Sequence, residues 1–281
     1  MNSYTEFYNK STGLIMGVEE VLFSGQSEFQ KVEVLKTDTW GNLLSIDGMV
    51  MLSEKDEFVY HEMITHPALF AHPNPQKVLI IGGGDGGTVR EVVKHSTVQQ
   101  VDLVEIDEMV IEASKAHFPG MGTFEHPALT VKVENGIEYV KQHPDEYDVV
   151  IVDGSDPVGP AKDLFGMPFL KNCKKALREG GILICQTESP WIEAYHESMT
   201  SVFADLKQLF NHSRMYLGFI PLYPAGMWSF SFSSDSLDPT ADLSVVWKER
   251  GIDDMNLKYY NPAIHQGAFA LPNFVAKLAG E

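Results

Sequence analysis

Lys77-Val78-Leu79-Ile80-Ile81-Gly82-Gly83-Gly84-Asp85-Gly86-Gly87 reads as a short apolar strand that runs into a glycine loop. The loop matches G-x-G-x-x-G and is followed by a stretch with helical character. Glu105 ends the next apolar run, about 20 residues on, where an acid at a strand end grips ribose hydroxyls. Downstream the same rhythm continues. Short apolar runs at Val78–Ile81, Val101–Glu105, Leu129–Val133, Val149–Asp153 and Ile182–Gln186 alternate with helical stretches near 87–95, 108–117, 136–142 and 163–178. Runs this apolar and this regularly spaced predict an α/β protein with a parallel sheet covered on both faces. A helix near 191–209 and strands near 214–219 and 228–233 complete the sheet with a hairpin-like end, unlike a nicotinamide-binding sheet.

Upstream of the loop the pattern changes. Residues 1 to about 53 read as β hairpins. Phe29 to Val34 alternates apolar and polar residues, and Asp47-Gly48 separates two apolar runs as a hairpin turn would. Ser53 is placed to cap a helix from about Glu54 to Leu69, and Pro73-Asn74-Pro75 breaks the chain before the sheet begins.

Whole-chain properties narrow the function. The chain has 281 residues and a formal charge of -18, which opposes binding to nucleic acid or to anionic membranes. Its polar N-terminus shows no signal peptide, and no apolar run reaches the ~20 residues that span a bilayer. Cys173 and Cys185 form neither a disulfide framework nor a metal cluster, so the expectation is a reducing cytoplasm.

Asp85 decides which nucleotide suits the loop. Dinucleotides place a pyrophosphate there. A carboxylate would repel it by several kcal/mol, the order of the Coulomb estimate at about 4 Å. A cationic nucleoside without phosphate fits better, with Asp85 paired to an amine. Glu134-Asn135-Gly136 lies at the same sheet edge, and Asn135 reads equally as an adenine contact or as a helix cap. In Val150-Ile151-Val152-Asp153-Gly154-Ser155-Asp156-Pro157-Val158-Gly159-Pro160-Ala161, an apolar strand ends in two acids three apart. With Asp85 these make three carboxylates without a nearby basic partner, a cluster that a cationic ligand would relieve. Tyr60, His61 and Tyr223 are available to complete a cation pocket, although each alone is as readily a core or helix residue. Gly154, Gly159 and the segment 162–166 suggest a loop that orders over a ligand.

Taken together these segments resemble the spermidine synthase family over essentially the whole chain. The most specific matches are Gly82-Gly83-Gly84-Asp85-Gly86-Gly87 and Asp153-x-x-Asp156-Pro157-x-Gly159-Pro160-Ala161. Gln26 to Gln30, Leu44 to Val50, Glu54 to Met63, Glu105-Ile106-Asp107 and Tyr223-Pro224-Ala225-Gly226 extend the likeness, as do Lys258 to Asn261 and His265 to Pro272. Asn135 and Ala225 depart from the family pattern, which has Asp and commonly Ser at these positions.

The resemblance implies a methyltransferase-like Rossmann domain, residues 54–281, carrying a small N-terminal β domain, residues 1–53, in a homodimer or homotetramer. It also implies transfer of the aminopropyl group of decarboxylated S-adenosylmethionine, a co-substrate, to putrescine, with no cofactor and no metal. Gln30, Gly82, Gly84, Glu105, Asn135, Gly136 and Pro160 would hold the thioadenosine. Tyr60, His61, Asp85, Asp156 and Tyr223 would hold the amines, and Asp153 would take the proton. The competing expectations are another acceptor (agmatine, cadaverine or spermidine), a diamine N-methyltransferase, a nicotinamide-dependent oxidoreductase and a non-catalytic polyamine-binding protein. Asp85 argues against the donor carboxylate of the second and the pyrophosphate of the third.

Overall fold

A computed structural model describes residues 2–154 and 164–281. Three sheets organise it. Strands β1 (Asn2–Phe7) and β2 (Gly13–Val18) form an antiparallel pair. Strands β3 (Glu20–Gln26), β4 (Lys31–Lys36), β5 (Asn42–Ile46) and β6 (Met49–Ser53) form an antiparallel meander. At its last turn Asp47 and Gly48 both adopt positive φ, 50° and 80°, the geometry that a two-residue hairpin between right-twisted strands requires.

The large sheet has seven strands. Its parallel part comprises β7 (Lys77–Gly82), β8 (Gln100–Glu105), β9 (Leu129–Val133), β10 (Tyr147–Asp153) and β11 (Leu177–Gln186). An antiparallel hairpin, β12 (His212–Phe219) and β13 (Met227–Ser234), extends it beside β11, giving the order β12-β13-β11-β10-β7-β8-β9. This is the α/β architecture with a small N-terminal β portion that the strand rhythm predicted.

Period-two alternation explains the two layers. Along β7, Val78 and Ile80 join the core formed with helices α1 (Glu57–Ala71) and α2 (Gly87–Val92). Leu79 and Ile81 point into the opposite core, with residues of α4 (Gly136–Lys141), α5 (Met167–Ala176) and α6 (His196–Leu209). The meander packs Val32, Val34, Leu44, Ile46 and Leu52 against Val110, Ala113, Phe118 and Met121 on and just beyond α3 (Glu108–His117). That contact sets the N-terminal sheet over the carboxyl edge of β7 and β8. Three short helices follow β13: α7 (Ser244–Glu249), α8 (Pro262–Ala268) and α9 (Asn273–Leu278).

Some boundaries differ from the sequence expectation. Ser53 does not cap α1. Its hydroxyl donates to Asp56 Oδ1 (2.6 Å), and Asp56 Oδ2 accepts the Leu222 N–H (3.0 Å), so the helix starts only at Glu57. The helix expected over 163–178 spans Met167–Ala176, and β11 starts directly at Leu177. Around Gly180 and Gly181 the pairing with β10 jumps from Tyr147–Leu177 to Val149–Ile182, an irregularity that hid the first half of this strand.

Candidate active site

The carboxyl ends of β7 and β10 are held together first by backbone. Gly83 N–H donates to the Asp153 carbonyl at 2.9 Å. A Cβ on Gly82, where φ is +83°, would sit 2.2 Å from that same oxygen. The glycine loop therefore serves close approach of two strand ends as well as access for a ligand. Along this edge a cavity is lined by residues far apart in the chain, among them Gln30 and Met51, Tyr60 and His61, Gly82 to Asp85, Glu105, Asn135 and Gly136, Asp153 and Gly154, and Tyr223.

Around Asp85, the sequence reading of acids without a basic partner is corrected. His61 Nε2 lies 3.1 Å from Asp85 Oδ1, and His61 Nδ1 lies 2.6 Å from Glu57 Oε2. Arg90 grips Glu57 with two bonds, at 2.9 and 2.8 Å. Burial disfavours a charged His61, but the carboxylates of Asp85 and Glu57 outweigh it and raise the pKa to about 10. The imidazolium can then donate from both nitrogens. Burial also opposes ionisation of Glu57, yet His61 and Arg90 bring it down to about 2. For Asp85 burial is again the largest influence, but His61 reverses it and holds the carboxyl below its usual range. A Cβ on Gly87 would meet the His61 ring at 2.3–2.5 Å, so the glycine makes room for this ion pair. Thus the loop acid is held ionised by a cation of the protein itself.

Asp153 sits at the centre. Tyr60 Oη donates to its Oδ1 and Thr88 Oγ1 to its Oδ2, each at 2.6 Å. Burial and then the Asp85 charge push its pKa up, while His61, Thr88 and Tyr60 pull it back. The Tyr60 ring contacts that of Tyr223, with centroids 5.7 Å apart, and the Tyr223 hydroxyl is committed to the Met51 carbonyl at 2.5 Å. A smaller cavity continues past Tyr60, Gly154 and Tyr223, where Glu6, Gln186 and Trp228 join the wall.

At the carboxyl end of β8, Glu105 Oε2 accepts the Gly84 N–H (3.2 Å) and Oε1 the Asp107 N–H (2.9 Å). Burial raises its pKa to about 7 against those bonds. Gln30 Nε2 donates to Asp107 Oδ2 at 3.0 Å, which ties the loop after β3 to the start of α3. Asn135 Oδ1 accepts from Ile137 N–H at 2.9 Å and Glu138 N–H at 3.4 Å. Capping α4 is thus its role within the protein itself, beside its place in the cavity wall. Gly136 packs so closely on Ile81 that a Cβ would lie 2.4 Å from Ile81 Cγ2.

The structure accordingly gathers eleven of the thirteen residues singled out from sequence, Gln30, Tyr60, His61, Gly82, Gly84, Asp85, Glu105, Asn135, Gly136, Asp153 and Tyr223, around one cavity. Asp156, Pro160 and most of the loop after Asp153 lie outside the described residues. Four residues were missed. Glu57 was legible as the i, i+4 neighbour of His61 on a helix. Gln186 was legible as the polar end of the apolar run Ile182–Gln186, whereas Arg90 and Thr88 carried no such signal, because only the tertiary fold brings them to the site. Among the described residues no helix is long and apolar enough to cross a membrane.

Comparison with known proteins finds relatives over nearly the whole chain. The family model of the spermine/spermidine synthase domain matches residues 57–244, and that of the spermidine synthase tetramerisation domain matches residues 3–54. The chain is 45% identical over 276 residues to polyamine aminopropyltransferase 1 of Bacillus cereus, with 98% of each chain covered. It is 46% identical over 274 residues to the polyamine aminopropyltransferase of Alkaliphilus metalliredigens, covering 97% of this chain and 95% of that one. A spermidine synthase solved in complex with the transition state analogue AdoDATO superimposes with a TM-score of 0.93 at 40% identity, over 99% of this chain and 95% of that one. The spermidine synthase of Thermotoga maritima gives 0.92, also at 40% identity, over 100% and 94%.

Proposed function

The chain belongs to the spermine/spermidine synthase family, and from that premise we propose that it is an aminopropyltransferase that makes spermidine and methylthioadenosine from putrescine and decarboxylated S-adenosylmethionine. The observation that carries this reading is Asp153: a buried carboxylate held by two hydroxyls, in one cavity with an ionised Asp85 and with the ribose-gripping Glu105.

The chemistry follows from charge. An alkylamine, with a pKa of roughly 10.4, arrives protonated and has no lone pair for attack. Asp153 takes that proton and orients the nitrogen. The lone pair then attacks the methylene beside the sulfonium. A C–N bond forms, the C–S bond breaks, and its electron pair neutralises the sulfur as methylthioadenosine leaves. The sulfonium is its own activated leaving group, so the proposed reaction needs neither metal nor redox cofactor.

Asp85 anchors the donor's ammonium, supported by His61. Tyr60 and Tyr223 offer aromatic faces to the acceptor cation, and Asp156 would bind its ammonium groups. Glu105 accepts the ribose hydroxyls, while Gln30, Gly82, Gly84, Asn135, Gly136 and Pro160 would frame the thioadenosine. The spermidine synthase tetramerisation domain matched by residues 3–54 supports a homodimer or homotetramer. Two buried, unbridged cysteines accord with a cytoplasmic setting.

The acceptor is tested by kcat/KM for putrescine, cadaverine, agmatine and spermidine with one donor. Putrescine should rank first. A higher value for another amine would overturn the named product while leaving aminopropyl transfer in place.

Nucleoside binding should depend on pH through Glu105. The ionised carboxylate accepts the hydroxyls strongly, and in the free protein its pKa is raised to about 7. Methylthioadenosine should therefore bind about tenfold more tightly at pH 8 than at pH 6, following the ionised fraction of the free carboxyl. Glu105→Gln should bind weakly and without that slope. A flat wild-type profile in calorimetric titrations would remove Glu105 from this role.

A further inference from the structure

Thr88 has no part in the mechanism so far, yet it makes one of the two hydrogen bonds to the proposed proton acceptor. It follows the glycine loop as the second residue of α2, and its side chain is fully buried. Its hydroxyl donates to Asp153 Oδ2 at 2.6 Å, while Tyr60 occupies Oδ1 at the same distance. A carboxylate offers about four lone-pair positions on its two oxygens. Two donors on different oxygens fix the plane of the group and leave the remaining lone pairs to an incoming ammonium. Tyr60 lines the cavity and is placed to touch substrate, whereas Thr88 is absent from the cavity wall and acts only through Asp153.

We infer that Thr88 is a positioning residue for the proposed reaction, whose hydroxyl locks the Asp153 carboxylate in its proton-accepting orientation and favours its charged form. This rests on the reading of Asp153 as proton acceptor. The charged and titratable groups facing Asp153 are Tyr60 and His61 from α1 and Asp85 from the loop after β7. Asp85 disfavours the Asp153 charge, and His61, Tyr60 and Thr88 favour it. Thr88 is the one among them that can lose its hydroxyl without removing a charge or an aromatic wall of the cavity.

The test uses Thr88→Val, which keeps the shape and removes the donor, and Thr88→Ser, which keeps the donor. The carboxyl signal of Asp153 is followed by carbon NMR in aspartate-labelled protein, assigned by its loss in Asp153→Asn. Thr88→Val should move its titration midpoint up by about one pH unit, since a bond to the charged form is lost. The acidic limb of kcat/KM for the amine should move up with it, and kcat should fall about tenfold at pH 7, while KM for the donor stays within about twofold. Thr88→Ser should titrate as the wild type does. A purely structural role would lower the melting temperature and leave the titration in place. An unmoved midpoint in Thr88→Val, or a Thr88→Ser shift as large as that of Thr88→Val, overturns the inference. Absence of aminopropyl transfer by the wild type would instead sink the functional reading on which it rests, so the two failures are separable.

Discussion

Asp153→Asn is expected to lower kcat by about 10²–10⁴-fold, the usual cost of losing a positioned general base, while methylthioadenosine still binds and the protein still folds. The substitution keeps size and reach but removes the proposed acceptor of the amine's proton. Its hydrogen-bonding consequences are small. The amide oxygen can accept from Tyr60 or Thr88, and the other hydroxyl can turn to accept from the amide nitrogen. Charge points the same way: Asp153 is buried with Asp85 raising its pKa, so neutralising it removes a repulsion between the two carboxylates. The melting temperature should therefore stay close to that of the wild type. Steady-state kinetics with thermal melts as control decide the matter. Near wild-type kcat in Asp153→Asn would eliminate it as the base and leave donor positioning to carry the reaction.

Asp85→Asn should act on the donor rather than on the chemical step. Asp85 accepts Gly87 N–H at 2.7 Å and faces His61 Nε2 at 3.1 Å, with an oxygen still available to an ammonium. Removing its charge leaves the imidazolium of His61 with Glu57 as its one carboxylate partner and presents the donor's amine with a net positive wall. Decarboxylated S-adenosylmethionine should bind about 10²-fold more weakly, which is about 2.8 kcal/mol at 1.4 kcal/mol per tenfold. Methylthioadenosine lacks the aminopropyl amine and should change by less than about threefold. Calorimetric titration of both ligands against both proteins provides the comparison. Equal losses for the two would show that Asp85 serves the loop's structure and not the amine.

Much of this site was legible because strand ends announce themselves. Asp85, Glu105, Asn135 and Asp153 each follow an apolar run, and in a parallel sheet the carboxyl ends of neighbouring strands meet at one edge. Local spacing alone therefore predicted a shared cleft. What it did not show was the charge balance. His61 lies 24 positions before Asp85 on a helix whose docking no periodicity specifies, yet it supplies the cation that the glycine loop lacks. Gly87 is part of the same story: its missing side chain admits the imidazole, whereas the sequence suggests only a turn or a ligand approach.

The fold divides along similar lines. Fully apolar strands such as Val149 to Val152 were unmistakable, because burial on both faces leaves no polar position. Leu177 and Arg178 fall within the helix expected over 163–178 and residues 179–181 within no expected element, since Arg178, Glu179 and two glycines break the apolar run of a strand that starts at Leu177. After Ser234 the chain forms short helices that are held by tertiary contacts more than by their own periodicity. His265 of α8 bonds the Tyr260 hydroxyl at 2.8 Å and the Pro239 carbonyl at 2.7 Å, partners that only the folded chain supplies.

Product identification is the most direct test of aminopropyl transfer. The purified protein is incubated with putrescine and either decarboxylated or intact S-adenosylmethionine, and the products are identified by mass spectrometry. With the decarboxylated donor, spermidine and methylthioadenosine should accumulate in equal amounts, and the intact donor should give neither spermidine nor a methylated diamine. N-methylputrescine with S-adenosylhomocysteine from the intact donor, or no spermidine from the decarboxylated one, would contradict the account.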